Sequence, residues 1–273
     1  KERSLYSNVI VQKIGANTCL QFTVRRDTKN QSCFDPSAPK RLVFAYAKMT
    51  LASILLMPEP KYILVVGLGG GTLPMAFNRL FPNATIHAIE IDTAVTKVAK
   101  KYFDFTESNQ IKVFDQDGRV FTKRAMANSF KYDLIILDAF NGDYIPEHLM
   151  TQEYLLENKA ILSEKGLLAS NTFTTSALYD HESTTYASVF DPLINFKRPE
   201  TNNRILLAPN ESIDPARIIS RAKMYEARMV EFNVPIVDYA ENILDALNRQ
   251  PDWDTGARVL TDQYSPANLL NSR

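Results

Sequence analysis

The residues best placed for chemistry in this 273-residue sequence are a cluster of glycines and three acids that follow it. Four of the nine glycines, Gly67, Gly69, Gly70 and Gly71, fall within five positions, directly after a short apolar run. Glycine lets a chain turn sharply and lets its backbone approach a ligand closely. The cluster therefore predicts a strand-to-helix loop that either cradles a ligand or only makes a tight turn.

The first acid, Glu90, ends a second apolar run at residues 86–89, nineteen positions after Gly71. At that distance from a glycine loop, a carboxylate can accept hydrogen bonds from the hydroxyls of a ribose. Asp92 follows two residues later, and it can equally cap a helix that starts at Thr93.

Asp117 and Gly118 follow a third apolar run, where the acid can reach the edge of an adenine or simply form a turn. Asp138 follows the fourth run, at residues 134–137. A carboxylate in such a crevice can act as a general base toward an amine or hold a cationic centre, although a helix-cap or turn role is also open.

Together, these four strand ends favour an adenosine-containing ligand. A P-loop is excluded because no Gly-Lys-Ser/Thr follows the glycines. A hydride-transferring enzyme that binds a dinucleotide is disfavoured, because the third glycine of its motif would fall at position 72, which is a threonine here.

The elements that must position these residues are strongly apolar strands that alternate with amphipathic helices. Strands are predicted near 62–66, 84–91, 111–114, 132–137 and 167–172, and helices near 73–81, 93–103, 120–127 and 151–162, with Gly166 as a helix cap. This alternation is typical of a parallel sheet covered on both faces, which binds ligands beyond the carboxyl ends of its strands. Two further strands and a helix at 215–232 follow, and residues 236–273 are expected to lie irregularly over the surface.

Residues 1–57 are predicted to form a separate N-terminal region. Two alternating strands flank a turn at Gly15-Ala16-Asn17, which indicates a hairpin, and a connecting helix over 41–57 stops at Pro58. Residues 58–273 then form the α/β catalytic domain.

Composition narrows the class of protein. Lys plus Arg and Asp plus Glu both number 31, and this neutral balance argues against a nucleic-acid partner. No apolar run is long enough to predict a membrane span in this segment. The three histidines are scattered, so no metal is expected, and His148 is expected at a surface or structural position. Cys19 and Cys33 are expected to be reduced thiols in a cytoplasmic protein.

The four motifs also carry a family resemblance. The stretches 63–71, 89–92, 117–118 and 132–138 resemble the spermidine synthase (polyamine aminopropyltransferase) family. That family is built on the class I S-adenosylmethionine-dependent methyltransferase fold. The resemblance implies a doubly wound, mainly parallel seven-stranded sheet with a small N-terminal β-hairpin extension. It also implies a small-molecule amine as substrate, a homodimer, and decarboxylated S-adenosylmethionine or S-adenosylmethionine as the cofactor.

The resemblance further implies roles for individual residues. The glycines Gly67, Gly69, Gly70 and Gly71 would line the methionine-like part of the cofactor, Glu90 would hold the ribose, and Asp117 with Gly118 the adenine. Asp138 would accept a proton from the attacking amine. Gln31 and Tyr46 would flank the cofactor or substrate, and Tyr46, Asn141 and Asp143 would contact the substrate.

Two positions depart from the family pattern. Gly70 stands where the family has an aspartate that binds the aminopropyl amine, and Asn141 stands where a second aspartate binds the acceptor, although Asp143 and Glu147 follow closely. The leading interpretation is aminopropyl transfer to an amine in polyamine biosynthesis. One alternative is methyl transfer from S-adenosylmethionine, whose carboxylate an acid at position 70 would repel. The other is a non-catalytic ligand-binding domain of the same fold.

Overall fold

A computed structural model describes residues 2–4, 6, 8–24, 27–140 and 145–266. An antiparallel sheet opens the chain, formed by β1 (Glu2–Arg3), β2 (Asn8–Ile14), β3 (Asn17–Val24) and β4 (Asp27–Phe34) in sequential order. The hairpin predicted around Gly15 is confirmed by the pairing of β2 with β3. Strand β4 was not predicted, because its sequence DTKNQSCF is mostly polar and lacks an apolar alternation.

The two cysteines form a disulfide, so the expectation of two reduced thiols is wrong. Cys19 on β3 and Cys33 on β4 are paired directly across the two strands, with Cα atoms 4.1 Å apart. Both side chains are buried. A separation of 14 residues in the sequence does not reveal this contact, because it depends on the register between two strands, one of which the sequence pattern did not show.

A buried helical segment connects the two regions of the chain. Helix α1 (Ala45–Leu51) continues into a 3-10 helix (Ala52–Leu56), so the predicted helix begins four residues later than expected and ends as expected before Pro58. Its residues from Met49 to Leu56 are all buried, and α1 packs against the central sheet.

The central sheet has seven strands, and the predicted class of fold is confirmed. Its strands are β5 (Tyr62–Val66), β6 (Thr85–Glu90), β7 (Ile111–Asp115), β8 (Tyr132–Leu137), β9 (Leu162–Phe173), β10 (Ile194–Lys197) and β11 (Asn203–Pro209). Their order across the sheet is β10-β11-β9-β8-β5-β6-β7. Strands β5 to β9 run parallel to one another, and β11 runs antiparallel to both of its neighbours, β9 and β10.

In the part of the chain that the structure describes, seven further α-helices follow α1: α2 (Thr72–Leu80), α3 (Thr93–Tyr102), α4 (Gly118–Ala127), α5 (Gln152–Ala160), α6 (Tyr179–Ala187), α7 (Pro215–Met229) and α8 (Ile236–Asn248). Both faces of the central strands are buried. Ile63 and Val65 of β5 belong to one apolar core, and Leu64 and Val66 belong to another on the opposite face. Burial on both faces explains why these strands are apolar without alternation.

Two expectations about the second half of the chain are wrong. Gly166 does not cap a helix but lies within β9, where the pairing with β8 shifts register. Residues 236–273 do not lie irregularly over the surface throughout, because α8 buries Ile236, Tyr239 and Ile243 in the main core. Among the described residues, no helix is both long and apolar enough to cross a membrane.

Candidate active site

A cavity of about 690 Å³ opens at the carboxyl ends of the parallel strands. It lies where the chain order reverses between β5 and its two neighbours, β6 on one side and β8 on the other. Ligands bind at such reversal points in open α/β sheets. Strand β4 and the start of α1 close the cavity from the N-terminal side, through residues that include Asn30, Gln31, Phe44 and Tyr46.

At the base of this cavity, the end of β5 is bonded to β6 on one side and to the segment after β8 on the other. The Gly67 amide donates to the Ile89 carbonyl at 2.8 Å, and the Asp138 amide donates to the Val66 carbonyl at 2.8 Å. Gly67 has φ +100°, and a β-carbon there would lie 2.3 Å from the Asp138 carbonyl oxygen. Position 67 therefore requires glycine both for its backbone conformation and for space.

Glu90 joins the end of β6 to the glycine loop. Its carboxylate accepts hydrogen bonds from the Leu68 amide at 3.1 Å and from the Asp92 amide at 2.9 Å. Removal from water raises the pKa of Glu90 to about 7, although these backbone donors act in the opposite direction. Both Glu90 and Asp92 line the cavity.

Asp92 has two roles in the structure. One carboxylate oxygen, Oδ1, caps α3 by accepting from the Ala94 amide at 2.9 Å, which confirms the capping interpretation. The other oxygen, Oδ2, is buried and has no hydrogen-bond partner among the described residues. A buried acceptor without a donor costs free energy, so this oxygen suits a ligand that brings a donor.

Asp117 lies at the far end of the cavity, directly before α4. Its Oδ1 accepts from the Val120 amide at 3.0 Å and caps the helix, and its Oδ2 lies 2.7 Å from His148 Nε2. The hydrogen bond with His148 is the main reason that the pKa of Asp117 is lowered. His148 lies at the surface, as expected, with 48% of its side chain exposed, and it also lines the cavity.

Asp138 lies one residue beyond β8, on the wall between the glycine loop and β9. Asn171 Nδ2 donates to its Oδ1 at 2.9 Å. The neighbouring Tyr46 hydroxyl, like Asn171, favours the charged form of this carboxyl. Loss of hydration outweighs them and raises the pKa of Asp138 to about 7. This carboxyl group can accept and release a proton near neutral pH.

Tyr46 contacts the base from helix α1, opposite the sheet. Its hydroxyl lies 3.4 Å from the Gln31 carbonyl oxygen, so β4 and α1 meet above Asp138. Burial, and secondarily the neighbouring Asp138, hold the pKa of Tyr46 well above its usual value. The hydroxyl therefore keeps its proton at neutral pH.

The structure brings most of the predicted site residues to this cavity: Gln31, Tyr46, Gly67, Gly69, Glu90, Asp117, Gly118 and Asp138. Gly70 and Gly71 do not line it. A β-carbon on Gly70 would lie 2.6 Å from the Phe103 ring and 2.7 Å from Ser32 Oγ, so that position faces packed side chains. Asn141 and Asp143 lie outside the described residues.

The cavity residues that were not found from the sequence include Asn171, Asn203 and Glu200. Asn171 follows the apolar run 167–169 at the end of a predicted strand, and the rule that singled out Asp138 applies to it as well. Glu200 lies in the turn before the antiparallel strand β11, and Asn203 is the first residue of that strand, for which the rule makes no prediction. Among the described residues, no group of three or more His, Cys, Asp or Glu side chains could hold a metal ion.

Comparisons with solved structures show the class of fold. A probable spermidine synthase from Corynebacterium glutamicum superposes with a TM-score of 0.69 at 18% identity, over 94% of this chain and 98% of that one. Human methyltransferase-like protein 13, solved with SAH, gives 0.60 at 24% identity, over 78% of this chain and 96% of that one. The fold is therefore that of the class I methyltransferase-like proteins.

Sequence comparison narrows the class to a family. The model of the spermine/spermidine synthase domain matches residues 43–192. A polyamine aminopropyltransferase of Vibrio vulnificus is 44% identical over 273 residues, which cover 99% of this chain and 90% of that protein. An eEF1A lysine and N-terminal methyltransferase of Bos taurus is 36% identical over 125 residues, which cover 43% of this chain and 18% of that protein. The chain belongs to the spermine/spermidine synthase family, and it is a transferase.

Proposed function

We propose that this enzyme transfers an aminopropyl group from decarboxylated S-adenosylmethionine to a small amine, a reaction of polyamine biosynthesis. The observation that carries the proposal is Asp138, a carboxylate with a pKa of about 7 that faces the cavity between the glycine loop and β9. The full-length similarity to an aminopropyltransferase supports it.

The residues around the cavity fit an adenosyl cofactor. Gly67 and Gly69 present bare backbone to the cavity, and the buried Oδ2 of Asp92 lacks a donor that a ribose hydroxyl could supply. Glu90 would hold the ribose, and Asp117 would hold the adenine amino group beside Gly118. When bound, the cofactor supplies a sulfonium whose adjacent carbon is open to nucleophilic attack.

Asp138 would serve as the general base. An amine attacks only through its free electron pair, so the acceptor nitrogen must give up a proton, which the Asp138 carboxylate accepts. The donors Asn171 and Tyr46 hold the carboxylate in place, and the cavity brings the acceptor against the cofactor. The predicted acceptor contacts of Asn141 and Asp143 remain proposals, as does the contact of Tyr46 with the substrate.

Methyl transfer from S-adenosylmethionine is the second candidate. The observation that favours it is position 70, where the family's aspartate is replaced and where Phe103 and Ser32 occupy the space that a side chain would need. Without that acid, the loop has no negative charge at position 70 to repel the carboxylate of S-adenosylmethionine. The non-catalytic alternative is disfavoured by the intact environment of Asp138.

Calorimetry and a transfer assay test the two candidates together. Decarboxylated S-adenosylmethionine, S-adenosylmethionine and methylthioadenosine are titrated separately, and the products from mixtures with a diamine are identified by mass. We expect the decarboxylated cofactor to bind more tightly and the product to gain an aminopropyl group. Equal affinity for both cofactors with a methylated product would replace the proposal by methyl transfer. Absence of binding by all three would leave the non-catalytic alternative.

The two regions of the chain, the homodimer and the cytoplasmic location are also proposals. We retain residues 1–57 as an N-terminal region and 58–273 as the catalytic domain, which is supported by a cavity that both regions line. The homodimer rests on the family resemblance alone. The cytoplasmic location is weakened by the Cys19–Cys33 disulfide, since such bonds persist mainly in oxidising compartments.

A further inference from the structure

Along one wall of the cavity, three polar side chains form a continuous line of hydrogen bonds that ends on the carboxyl group of Asp138. Thr201 Oγ1 donates to Asn203 Oδ1 at 3.0 Å, Asn203 Nδ2 donates to Asn171 Oδ1 at 2.9 Å, and Asn171 Nδ2 donates to Asp138 Oδ1 at 2.9 Å. We call Thr201, Asn203 and Asn171 the amide relay.

The sheet accounts for the alignment of the relay. Leu137 of β8 is level with Ser170 of β9, so Asp138 and Asn171 are the next neighbours along the same two strands. On the other side, β11 runs antiparallel with Asn203 opposite Phe173, which places Asn203 two residues from the level of Asn171 and on the same face. Three neighbouring strands therefore bring their polar ends into one row.

The relay has a direction. A carboxylate only accepts hydrogen bonds, so Asn171 must turn its NH₂ group toward Asp138 and its oxygen toward Asn203. Asn203 must then turn its NH₂ group toward Asn171, and its own oxygen faces the Thr201 hydroxyl, which has a proton to donate. Thr201 Oγ1 also accepts a hydrogen bond from the backbone N–H of Asn203 at 3.1 Å, which holds the hydroxyl beside the Asn203 side chain.

We propose that Asn203 and Thr201 are positioning residues that lock the Asn171 amide with its NH₂ group toward Asp138, so that the base is held as a carboxylate. Neither residue touches the base itself. If the side-chain amide of Asn171 were flipped, its oxygen would face the Asp138 carboxylate. Two acceptors would then repel each other unless Asp138 took up a proton. The role of the relay in turnover rests on the proposed function.

The effect of the relay on Asp138 can be separated from that of the charged groups around it. Tyr46 of α1 is the titratable group that contacts the carboxyl among the described residues, and it keeps its proton. The other titratable side chains that line the cavity are Tyr6, Glu90, Asp92, Asp117, His148 and Glu200.

The sharpest variant is Asn203→Asp, which replaces the NH₂ group facing Asn171 by an acceptor and so favours the reversed amide. Asn202→Asp is the matched control, since it adds the same charge one residue away on an exposed side chain. Thr201→Val removes only the hydroxyl that orients Asn203. Its control is Thr174→Val, because the Thr174 hydroxyl donates to the Asn202 carbonyl at 3.0 Å in the same loop but outside the relay.

The kcat/KM of each variant is divided by that of the wild type at each pH from 6 to 9.5. The titration of the acceptor amine affects both values equally and therefore cancels in the ratio. If Asn203→Asp raises the pKa of Asp138 from about 7 to about 8, the ratio falls about fivefold at pH 7 and recovers to within about 10% of unity at pH 9. Thr201→Val should shift the profile in the same direction by less, and both controls should give a flat ratio near one. A ratio for Asn203→Asp that is flat with pH would overturn the proposal.

An independent readout separates this inference from the proposed reaction. In protein labelled with ¹³C-aspartate, the carboxyl resonance of Asp138 is assigned by its loss in Asp138→Asn, and its titration needs no turnover. We expect a higher pKa for Asp138 in Asn203→Asp, and no added effect of that change when Asn171 is already replaced by Leu. An unchanged titration, or an equal increase with Asn171 absent, contradicts the relay. A wild-type enzyme that titrates as expected but transfers no aminopropyl group contradicts only the proposed function.

Discussion

Gly67 and Asp138 are packed so closely that a β-carbon on residue 67 would lie 2.3 Å from the Asp138 carbonyl oxygen. The ligand loop and the candidate base are thus one rigid unit at the junction of β5 and β8. Because the Asp138 amide bonds to Val66 directly before this glycine, movement of the loop would also move the base.

Replacement of Gly67 by alanine should therefore damage the site and the fold together. The added methyl group meets backbone rather than a side chain that could turn away, and φ +100° is already unfavourable for alanine. We expect the free energy of unfolding to fall by about 3 kcal/mol, with loss of methylthioadenosine binding.

Gly15→Ala is the matched control for that change. Gly15 also has a positive φ, +60°, but nothing lies within 4 Å of its β-carbon position. Alanine there should cost only about 1 kcal/mol of conformational strain and leave binding intact. Equal losses for both variants in denaturant titration would show that the contact with Asp138 is unimportant.

Asp138→Asn tests the base directly. An amide keeps the size of the side chain but accepts a proton far less readily, so kcat should fall by at least about 100-fold. Binding of methylthioadenosine should change by less than about threefold, because the amide still fills the same place. Full turnover by this variant would remove Asp138 from the mechanism.

Binding of the nucleoside should weaken below neutral pH because of Glu90. Burial raises the pKa of Glu90 to about 7, so near pH 6 only about a tenth of the molecules carry the carboxylate that accepts from a ribose. The Kd for methylthioadenosine, measured by calorimetry, should rise by up to about tenfold from pH 8 to pH 6.

The control for this pH effect is Glu90→Gln, which cannot titrate. Its affinity should be weak and nearly independent of pH over the same range. A wild-type Kd that stays constant from pH 8 to pH 6 would exclude Glu90 as the titrating ribose ligand.

The disulfide should stabilise the N-terminal sheet. Cys19 and Cys33 close a loop with a sequence separation of 14, and a bond across such a loop contributes about 3 kcal/mol by restricting the unfolded chain. Thermal melts should show a lower Tm for the wild type in dithiothreitol and for the Cys19→Ser/Cys33→Ser variant. Dithiothreitol should not change the Tm of the double variant, and an equal effect on both proteins would mean that the bond is not the cause.

Restoring the family's acid at position 70 should not improve the site. In Gly70→Asp the new side chain would press against the Phe103 ring and Ser32, at separations of 2.6 and 2.7 Å from its β-carbon. We expect a loss of about 1 to 3 kcal/mol in the free energy of unfolding, without a gain in affinity for the decarboxylated cofactor. A gain of tenfold or more in that affinity would show that the loop can present the acid to the cavity.

Much of the site could be predicted from local pattern. The carboxyl ends of parallel strands converge on one edge, so the residues that follow successive apolar runs can be expected to meet, and Gly67, Glu90, Asp117 and Asp138 do line one cavity. Asp92 as the cap of α3 was likewise predictable, because a cap contacts amides only two or three residues away.

The remaining features depend on contacts between distant parts of the chain. The sequence alone determined the class of fold and the family, since strand polarity and the glycine loop are local patterns. Only the tertiary structure decided that Cys19 faces Cys33, that α8 is buried, and that Gly70 faces Phe103 instead of the cavity. The surroundings of Asp138 were decided in the same way. Tyr46 and Asn171 reach it, and Asn203 reaches Asn171, through helix packing and strand register, neither of which leaves a periodic trace in the sequence.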